Sequence, residues 1–547
     1  MTTLRQLKSL RAFRVSLLLL AVATLSAQVP EHRVRIGMPI DWSTNQLVFN
    51  RKAVHDNPNL ARMEPRILYQ MIREHEPPVA HVPLEGPSSL PDSERDWSVS
   101  LGTGHVAFGQ SPAKYGFDVT APPSCSGDYA VYGLNVAGTT GGQANMVAYN
   151  NLYSGPGGIC GSGGPSVLFA YNVSTAGGRI LTSPTLSLDG TQIAFVESAT
   201  GASILHILTW KTGPGNGTSA TNSAAPGVGN TASLVSITYS TTATDTRSSV
   251  WVDYLDDAGY VGADDGKVYK IQPFFKGPPT LLGSPWPVTV AAFRRLTAPA
   301  FDVNTQSVYV GDGQGVLYQV NATNATITKS INIGTPGQRN PALVQGPLFD
   351  ITNGTLFAIS SNDGTSAVLV QVNASTMTQM TRARIGEGST AGTVVNLYNG
   401  AFNNNYFTKP ASGYILVCGT GAADTTPRRY LFGFTGIKMN TSPSNSTQIL
   451  PSTRSRCGPI TEFFNPNIGA TGTDFFFWGM NADCTGTNTL GCIMSRANDV
   501  ITAVNETAGT SGVIIDNDST MGQASSIYFS NQGSGPSAVK LTQNGLQ

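Results

Sequence analysis

A ten-residue phrase occurs twice in this chain and constrains the fold more than any other feature. Its first copy is Tyr260–Tyr269 (YVGADDGKVY), and its second copy is Tyr309–Tyr318 (YVGDGQGVLY). A looser copy begins at Phe357, so the repeat recurs after about fifty residues. Each copy has an apolar strand, a Gly/Asp turn and a second apolar strand. A repeat of this length and pattern predicts an all-β protein of stacked hairpin units.

Eight apolar segments recur along the chain, and each is predicted to be the second strand of a four-stranded unit. The segments are Tyr129–Leu134, Gln192–Val196, Gly259–Gly262, Ser307–Gly311, Thr355–Ser360, Tyr414–Cys418, Asp474–Trp478 and Ser526–Ser530. Each segment except the last has room for two following strands. The pattern therefore predicts a β-propeller of eight four-stranded blades. Seven blades is the alternative, with one irregular late unit as an insertion.

The last unit, residues 511–547, is one strand short. Its three clear strands are Val513–Asp516, Ser526–Ser530 and Ala538–Thr542. A propeller must close its ring or leave strand edges exposed. The missing strand is therefore predicted to come from the N-terminal part, either from Gln46–Phe49 or from Trp97–Leu101.

The chain is predicted to have three parts. Residues 1–27 have the pattern of a signal peptide, with four basic residues before the apolar run Val15–Ala23, which predicts a secreted or periplasmic protein. Residues 28–110 form an N-terminal extension, because about a quarter of residues 28–96 are charged. Apolar residues at three- and four-residue steps predict one helix over Asn59–His75. Residues 111–547 are the predicted propeller.

The bulk composition limits the class of partner. The 547 residues carry a formal net charge of zero, and only 12% are charged. A neutral chain lacks the basic surface that nucleic acid requires, so no nucleic-acid partner is expected. After the signal peptide no stretch is long and apolar enough to span a membrane.

The six cysteines are predicted to form three disulfides, because an even number in an exported chain favours pairing. Six cysteines allow fifteen pairings. In an up-and-down blade, loops after the first and third strands lie on one face, and loops after the second and fourth lie on the other. Each sequential pair of cysteines then shares a face. The predicted pairs are Cys125–Cys160, Cys418–Cys457 and Cys484–Cys492.

Two segments resemble known propeller repeats. Ser183–Val196 (SPTLSLDGTQIAFV) resembles the WD40-like repeat of TolB-type propellers, and the Tyr260 and Tyr309 units resemble the quinoprotein (PQQ-type) repeat. The whole chain resembles exported propeller proteins of environmental bacteria. The resemblance implies the fold, since propellers perform many chemistries. The recurrent tryptophan-docking motif of PQQ dehydrogenases and their adjacent cysteines are both missing here, so no PQQ cofactor is predicted.

Four aspartates are candidate calcium ligands. Asp256 and Asp257 lie in one turn, and Asp264 and Asp265 lie in the next, which can bring the carboxylates together. Calcium requires six to eight converging oxygens. The other interpretation is that Asp and Gly are there because hairpin turns favour them. No further cofactor is predicted.

The sequence singles out no catalytic residue, because HExxH and GxSxG are both absent. His206 alternates with strand residues and is interpreted as a surface or hydrogen-bonded strand histidine. The tripeptide Asp-Trp-Ser occurs twice, beginning at Asp41 and at Asp96. Its tryptophans, Trp42 and Trp97, are interpreted either as anchors that hold the extension on the ring or as aromatic surfaces that bind sugar. Six further aromatics can line a binding face or pack between blades: Phe274, Phe275, Tyr398, Tyr406, Phe463 and Phe464.

The sequence therefore favours an exported binding or scaffolding propeller. Its face loops are predicted to recognise a glycan, a cell-envelope partner or a protein. Two alternatives stay open: an enzyme, either polysaccharide-active or a quinoprotein-like oxidoreductase, and a subunit of an extracellular assembly. An enzyme would bring several carboxylates, His or Tyr together at the channel, whereas a binding module would show a polar or aromatic patch.

Overall fold

The computed structural model describes residues 37–49, 64, 66–67, 93–117, 122–335, 342–389, 395–466, 468–469, 471–484, 490–517 and 523–543. Their strands form eight sheets. Seven sheets are built from consecutive chain segments, and two of these seven gain an extra strand from the N-terminal part. The eighth sheet has three C-terminal strands and is completed by an N-terminal strand. The structure confirms the prediction of an eight-bladed, all-β propeller with few helices. The signal peptide, residues 1–27, lies outside the described residues.

The N-terminal part contributes β1 (Met38–Ile40), a 3-10 turn (Trp42–Asn45), β2 (Leu47–Val48) and β3 (Ser93–Ser100). Blade 1 consists of β4 (Ala113–Gly116), β5 (Tyr129–Gly133), β6 (Met146–Asn150) and β7 (Ser166–Tyr171). Blade 2 consists of β8 (Arg179–Ile180), β9 (Thr185–Leu186), β10 (Gln192–Ala199), β11 (Ala202–Thr209) and β12 (Ser233–Ser240). Blade 3 consists of β13 (Trp251–Asp253), β14 (Ala258–Gly262), β15 (Lys267–Ile271) and β16 (Val288–Thr289).

Blade 4 consists of β17 (Ala300–Asp302), β18 (Ser307–Gly311), β19 (Val316–Asn321) and β20 (Ile327–Asn332). Blade 5 consists of β21 (Leu348–Asp350), β22 (Thr355–Ser360), β23 (Ser366–Asn373) and β24 (Thr378–Glu387). Blade 6 consists of β25 (Ala401–Phe402), a helix (Asn404–Thr408), a 3-10 turn (Pro410–Ser412), β26 (Tyr414–Thr420), β27 (Pro427–Thr435), β28 (Lys438–Met439) and β29 (Asn445–Gln448).

Blade 7 consists of β30 (Thr461–Asn465), β31 (Thr473–Met480), β32 (Gly491–Ala497) and β33 (Val500–Glu506). Blade 8 consists of β34 (Ile514–Asn517), β35 (Ser525–Ser530) and β36 (Ser537–Gln543), and β3 pairs with β36 as its outer strand. The loops after first and third strands lie on what we call the lower face. The loops after second and fourth strands, including the connections between blades, lie on the upper face.

The blades follow one another around a central channel. First strands of successive blades are in contact, for example β13 with β17 and β17 with β21, and β34 of blade 8 contacts β4 of blade 1. Apolar clusters fill the spaces between neighbouring blades, as Phe169 and Ile193 do between blades 1 and 2. A central strand buried on both sides is mostly apolar, and all six residues of β22 are buried. This apolar character explains why the second strands were visible in the sequence.

The ring is closed by the strand predicted from Trp97–Leu101, which the structure extends to Ser93–Ser100. It runs antiparallel to β36, from Ser93 opposite Gln543 to Ser100 opposite Ser537. The alternative prediction, closure by Gln46–Phe49, is wrong. Leu47 and Val48 instead pair in parallel with Phe349 and Asp350 on the channel side of blade 5. The described part of the extension therefore enters the ring instead of packing outside it.

Three disulfides are present: Cys125–Cys160, Cys418–Cys457 and Cys484–Cys492. They are the three sequential pairs that the blade register predicts. Cys125–Cys160 ties two loops of the lower face of blade 1, and the other two pairs lie toward the upper face. None of the described cysteines is free.

Within the described part of the chain, no helix has the length and apolar character needed to cross a bilayer. Of the helix predicted over Asn59–His75, the structure describes Glu64, Arg66 and Ile67, and the last two are helical. The other residues of that prediction lie outside the described residues.

Candidate functional site in the central channel

The N-terminal segment Met38–Phe49 fills part of the central channel. Its strand β1 pairs antiparallel with β4 of blade 1, with Ile40 opposite Lys114. Its strand β2 pairs with β21 of blade 5. Blades 1 and 5 are opposite in a ring of eight, so the segment crosses the channel between them. We call residues 38–49 the plug.

The upper end of the channel is crossed by hydrogen bonds between amide side chains. Gln345 donates from Nε2 to the backbone oxygen of Gly109, at 2.9 Å, which joins blade 5 to the chain entering blade 1. Asn399 donates from Nδ2 to Oε1 of Gln46 in the plug, at 2.9 Å. On the far side, Gln110 accepts from the backbone nitrogen of Ser183 at 2.9 Å. These amides hold the plug and the blade starts together, and they line a cavity at this end of the channel.

A buried ion pair holds the plug from the side of blade 3. Arg66 donates from Nη1 to Glu64 at 2.8 Å and from Nε to the Ser43 hydroxyl at 2.6 Å. Its guanidinium lies 4.2 Å from the centroid of the Trp251 ring. Trp42 meets the same Trp251 edge to face, with ring centroids 6.1 Å apart. Trp42 thus anchors the extension to the ring, which confirms the structural interpretation of its tripeptide.

Burial raises the pKa of the Glu64 carboxyl to about 7. The positive charge of Arg66 lowers it, but the loss of hydration is larger, and the charges of Asp253 and Asp41 add to the increase. Glu64 therefore holds a proton in the folded protein at pH values where an exposed glutamate has lost it.

Replacing Glu64 with Gln should remove a pH dependence of stability. Stability from the raised pKa is fully present below pH 4.5, where both states are protonated, and is lost as pH rises through about 7. The unfolding free energy of the wild type relative to Glu64→Gln should fall by roughly 3 kcal/mol over this window. Urea unfolding at pH 4 to 9 measures it, with Glu387→Gln, at a partly exposed site, as control. If the difference in unfolding free energy between the wild type and Glu64→Gln did not change with pH, the buried placement of Glu64 would be contradicted.

A further pocket lies beside the plug, on the side of blades 5, 6 and 7. It is lined by Thr44, Asn45, Leu47, Val48, Leu348, Gly400, Ala401, Phe402, Asn404, Phe407, Ile460, Glu462, Phe463 and Phe464. Two of its lining residues, Asn404 and Phe407, belong to the lower-face connection between the first two strands of blade 6. Phe407 and Phe464 are partly exposed, so their rings are accessible from the pocket.

Glu462, which lines the pocket, lies beside a second carboxyl group, that of Asp474. Glu462 and Asp474 lie on neighbouring strands, where Phe464 is opposite Asp474 and Glu462 is opposite Phe476. They are diagonal neighbours on one face, and the Glu462 side chain hydrogen-bonds Asp474. Asp474 also accepts from the backbone nitrogen of Asn404 at 2.6 Å, at the start of the short helix. Burial raises the pKa of Asp474 despite these hydrogen bonds and the nearby charge of Arg496.

The pocket thus combines aromatic faces with hydrogen-bonding groups. The Phe rings offer apolar surfaces, and the Glu462 carboxyl and the Asn404 amide belong to its polar lining. Burial raises the pKa of Asp474, so its carboxyl retains a proton more readily than that of an exposed aspartate. The carboxyl pair can therefore both donate and accept hydrogen bonds. This arrangement suits a neutral ligand rich in hydroxyl groups.

No protein-family model and no curated protein matches the chain. Solved structures do match. Sqt1 of Saccharomyces cerevisiae is 11% identical with a TM-score of 0.48, and the match covers 83% of this chain and all of that chain. BamB from Moraxella catarrhalis is 11% identical with a TM-score of 0.39, covering 83% and 98%. The dihydro-heme d1 dehydrogenase NirN is 12% identical with a TM-score of 0.41, covering 77% of each.

The structure does not bring the four candidate calcium ligands together. Asp256 and Asp257 precede β14, and Asp264 and Asp265 follow it, so the two pairs lie at opposite ends of one strand. Asp257 accepts from the backbone nitrogens of Phe274, Phe275 and Lys276.

At the upper end of β14, Asp264 accepts from the backbone of Thr244 and Asp245, and Asp265 accepts from the hydroxyls of Ser240 and Tyr269. Both carboxylates therefore brace the loops around them. Across the described residues, no group of three or more His, Cys, Asp or Glu side chains is placed to hold a metal ion.

The other residues singled out by sequence have structural surroundings. His206 is buried and contacts Glu197 at 2.9 Å and Ser236 at 2.8 Å, as a hydrogen-bonded strand histidine. Trp97 is buried at the ring closure and donates to the Leu152 backbone oxygen at 3.0 Å. Of the six further aromatics, Phe274, Phe275, Tyr398, Tyr406 and Phe463 are buried, and Phe464 is partly exposed.

Sequence reasoning missed Glu462 and Asp474. The signal was available, because Phe463 must face the blade core, and alternation then places Glu462 and Phe464 on the other side of β30. The register with β31, which brings Asp474 to the same place, was not visible in the sequence.

Proposed function

We propose that this protein is an exported binding propeller that holds a glycan unit in the pocket beside the plug. The observation that carries the proposal is the pocket lining: the partly exposed rings of Phe407 and Phe464 face the same space as the Glu462 carboxyl and Asn404. Sugars present apolar C–H faces, which stack on aromatic rings, and hydroxyls, which exchange hydrogen bonds with carboxyl and amide groups. The plug supports the proposal because it forms one wall of the pocket.

Export is part of the proposal. Three disulfides and no free cysteine among the described residues suit an oxidising compartment. The N-terminal charge and hydropathy pattern is that of a signal peptide. Both observations support a secreted or periplasmic location, where glycans and envelope components are available.

The carboxyl pair favours binding over glycoside hydrolysis. Glycosidases hold their two carboxyl groups roughly 5 to 9.5 Å apart, because the scissile bond or a water must lie between them. Glu462 and Asp474 are diagonal neighbours on one face of the sheet and their side chains interact directly, so a scissile bond or a water is not expected between them. A polysaccharide-active enzyme at this pocket is therefore the less favoured function.

Glycan binding is tested with the mature protein on an array of cell-wall and capsular polysaccharides, followed by calorimetry with the best oligosaccharide. Phe464→Ala should weaken binding at least tenfold because it removes a stacking face. Glu462→Gln should weaken it less, since an amide keeps hydrogen-bonding capacity. The matched control is Phe293→Ala, a phenylalanine that is 81% exposed on the upper face. Equal binding by Phe464→Ala and Phe293→Ala, or no glycan ligand at all, would contradict the proposal.

Phe293 supports a second candidate function, docking of a protein partner on the upper face. Its side chain is 81% exposed and its φ is +56°, a left-handed conformation that bulky residues rarely adopt. The Phe293 backbone nitrogen donates to the backbone oxygen of Asp265 at 2.9 Å, which helps to hold this conformation. Strained backbone tends to occur at functional positions. A partner bound here would be lost in Phe293→Ala and kept in Phe464→Ala, the reverse of the glycan result.

A further inference from the structure

The contact between the last and the first blade contains buried charges. Lys114 of β4 lies 2.9 Å from Asp516 of β34, and both side chains are fully buried. Lys540 of β36 lies 2.9 Å from Asp96 of β3, with side chains 0% and 2% exposed. We call this contact, where the two ends of the ring meet, the closure seam.

Strand alternation places the two lysines in the closure seam. Val539 and Leu541 belong to the apolar cluster shared with blade 7, so Lys540 between them faces blade 1. Ala113 and Tyr115 belong to the cluster shared with blade 2, so Lys114 faces blade 8.

A β-bulge brings Asp96 to Lys540. In the pairing of β3 with β36, Arg95 is opposite Leu541 and Trp97 is opposite Lys540, so Asp96 is the extra residue. Bulges redirect side chains in this way. The carboxylate of Asp96 thereby enters the seam, where it accepts from the Thr542 hydroxyl at 2.7 Å.

Aromatic rings surround the charges. The Tyr153 ring lies 5.6 Å from Nζ of Lys114 and 5.9 Å from Nζ of Lys540. The Tyr528 hydroxyl donates to Asp516 at 3.1 Å, and the Tyr528 ring lies 5.9 Å from that of Trp97. Burial lowers the pKa of Lys540 although the negative charge of Asp96 opposes this.

We propose that Lys540 and Asp96 become joined by an intramolecular amide bond that covalently closes the propeller. In the seam the ammonium first passes a proton to the carboxylate, which gives a neutral amine beside a neutral carboxylic acid. The amine nitrogen then attacks Cγ of Asp96 and a C–N bond forms. One C–O bond breaks, and the departing oxygen leaves as water with protons from the acid and the amine. No oxidant or other reactant is needed.

Asp516 is the second carboxyl that this reaction uses. Its charge acts on Lys540, and the Tyr528 residue that it contacts is directly opposite Lys540 in the sheet. We assign to this carboxyl the transfer of protons as the tetrahedral intermediate forms and collapses.

Lys540 is chosen over Lys114 because of its geometry. Its Nζ is 2.9 Å from a carboxylate oxygen of Asp96 and, apart from this contact, makes no hydrogen bond with any of the described residues. The nitrogen is therefore near the carboxyl carbon without being held by other acceptors. The product would also replace a buried ion pair by a neutral amide, which costs less to keep away from water.

Intact-mass measurement of the reduced, unfolded wild-type protein decides the proposal. We expect a mass lower by one water than the sequence of the mature chain requires. Tryptic digestion should yield one branched peptide that contains both Asp96 and Lys540. The proposal would be overturned if the intact mass showed no loss of water and the two residues were recovered only in separate linear peptides. Lys540 and Asp96 would then form a buried salt bridge.

Two variants distinguish the amide bond from other losses of water. Lys540→Arg keeps the positive charge but cannot form the amide, so the full mass should return. Asp516→Asn keeps the size and polarity of the second carboxyl but not its proton transfer, and should reduce the bonded fraction at least tenfold. As a control, Lys270→Arg changes a lysine of blade 3 that lies outside the seam, and it should keep the mass deficit. A deficit that persists in Lys540→Arg would overturn the proposal.

Discussion

Replacing Lys114 with Ala is expected to lower the free energy of unfolding by about 3 to 5 kcal/mol. The reason is that Asp516 would stay buried at 0% exposure without its cation, since the surrounding blades keep water out. Removing one partner of a buried pair costs far more than the pair itself contributes. Urea unfolding followed by tryptophan fluorescence measures the change.

Two controls distinguish the loss of the buried charge in Lys114→Ala from the loss of side-chain packing. Lys114→Met combined with Asp516→Leu removes both charges and keeps the volume, so it should cost much less than the single change. Arg384→Ala removes an exposed pair with Glu387, at 3.6 Å, and should change stability by at most about 1 kcal/mol. If Lys114→Ala were no worse than Arg384→Ala, the closure seam would have to be hydrated.

The blade count could be predicted from sequence because it depends on strands buried on both sides. Thr355–Ser360 and Ser307–Gly311 were predicted with the same bounds that the structure shows. Outer strands are harder to recognise. Val288–Thr289 has two residues and Asn445–Gln448 is fully exposed, so neither carries an apolar pattern.

The disulfide pairs could be predicted for a related reason. They depend only on which face each loop occupies, and the face alternates from one strand to the next. The partner of Cys125 therefore followed from counting strands to Cys160, without any knowledge of how the blades twist or pack.

The contents of the channel could not be predicted in the same way. The strand Leu47–Val48 is too short to show periodicity, and its partner Phe349 lies some three hundred residues later. The relative placement of the aspartate turns could not be predicted for a different reason. Asp257 and Asp264 are close in sequence, but a strand of five residues separates their turns, so they lie on opposite faces.

The carboxyl pair and the closure seam depend on register. Glu462 and Asp474 meet because of how β30 is aligned with β31, and Asp96 meets Lys540 because of a bulge. A shift of one residue would turn each of these side chains to the other side of its blade. Hydrophobic pattern alone does not determine pairing at this precision.

Two N-terminal truncations should have very different effects, because the plug and the closing strand perform different tasks. Deleting residues 28–92 removes the plug but leaves β3 paired with β36. This protein should remain a folded monomer with an open channel. Its melting temperature should be lower, and its tryptophan emission should shift to the red because Trp251 loses the cover of Trp42 and Arg66.

Deleting residues 28–101 also removes β3, and the ring should then fail to close. Trp97 is buried, and loss of such a side chain costs about 3 to 5 kcal/mol. Lys540 would lose Asp96 and stay buried without its anion, which costs about as much again. Together these losses approach the whole stability of a typical protein, roughly 5 to 15 kcal/mol. The unpaired edge of β36 would also promote aggregation.

Size-exclusion chromatography with light scattering distinguishes the two truncations. A synthetic peptide of residues 93–101 should return the longer truncation to a monomer, because an added strand can restore the pairing of a sheet edge. The same peptide with Trp97→Ala should fail to do so, since it lacks the ring that packs on Tyr149 and Tyr528. A monomeric, cooperative unfolding transition in the longer truncation without peptide would show that the eight blades close without β3. The closure seam would then contribute little to holding the ring together.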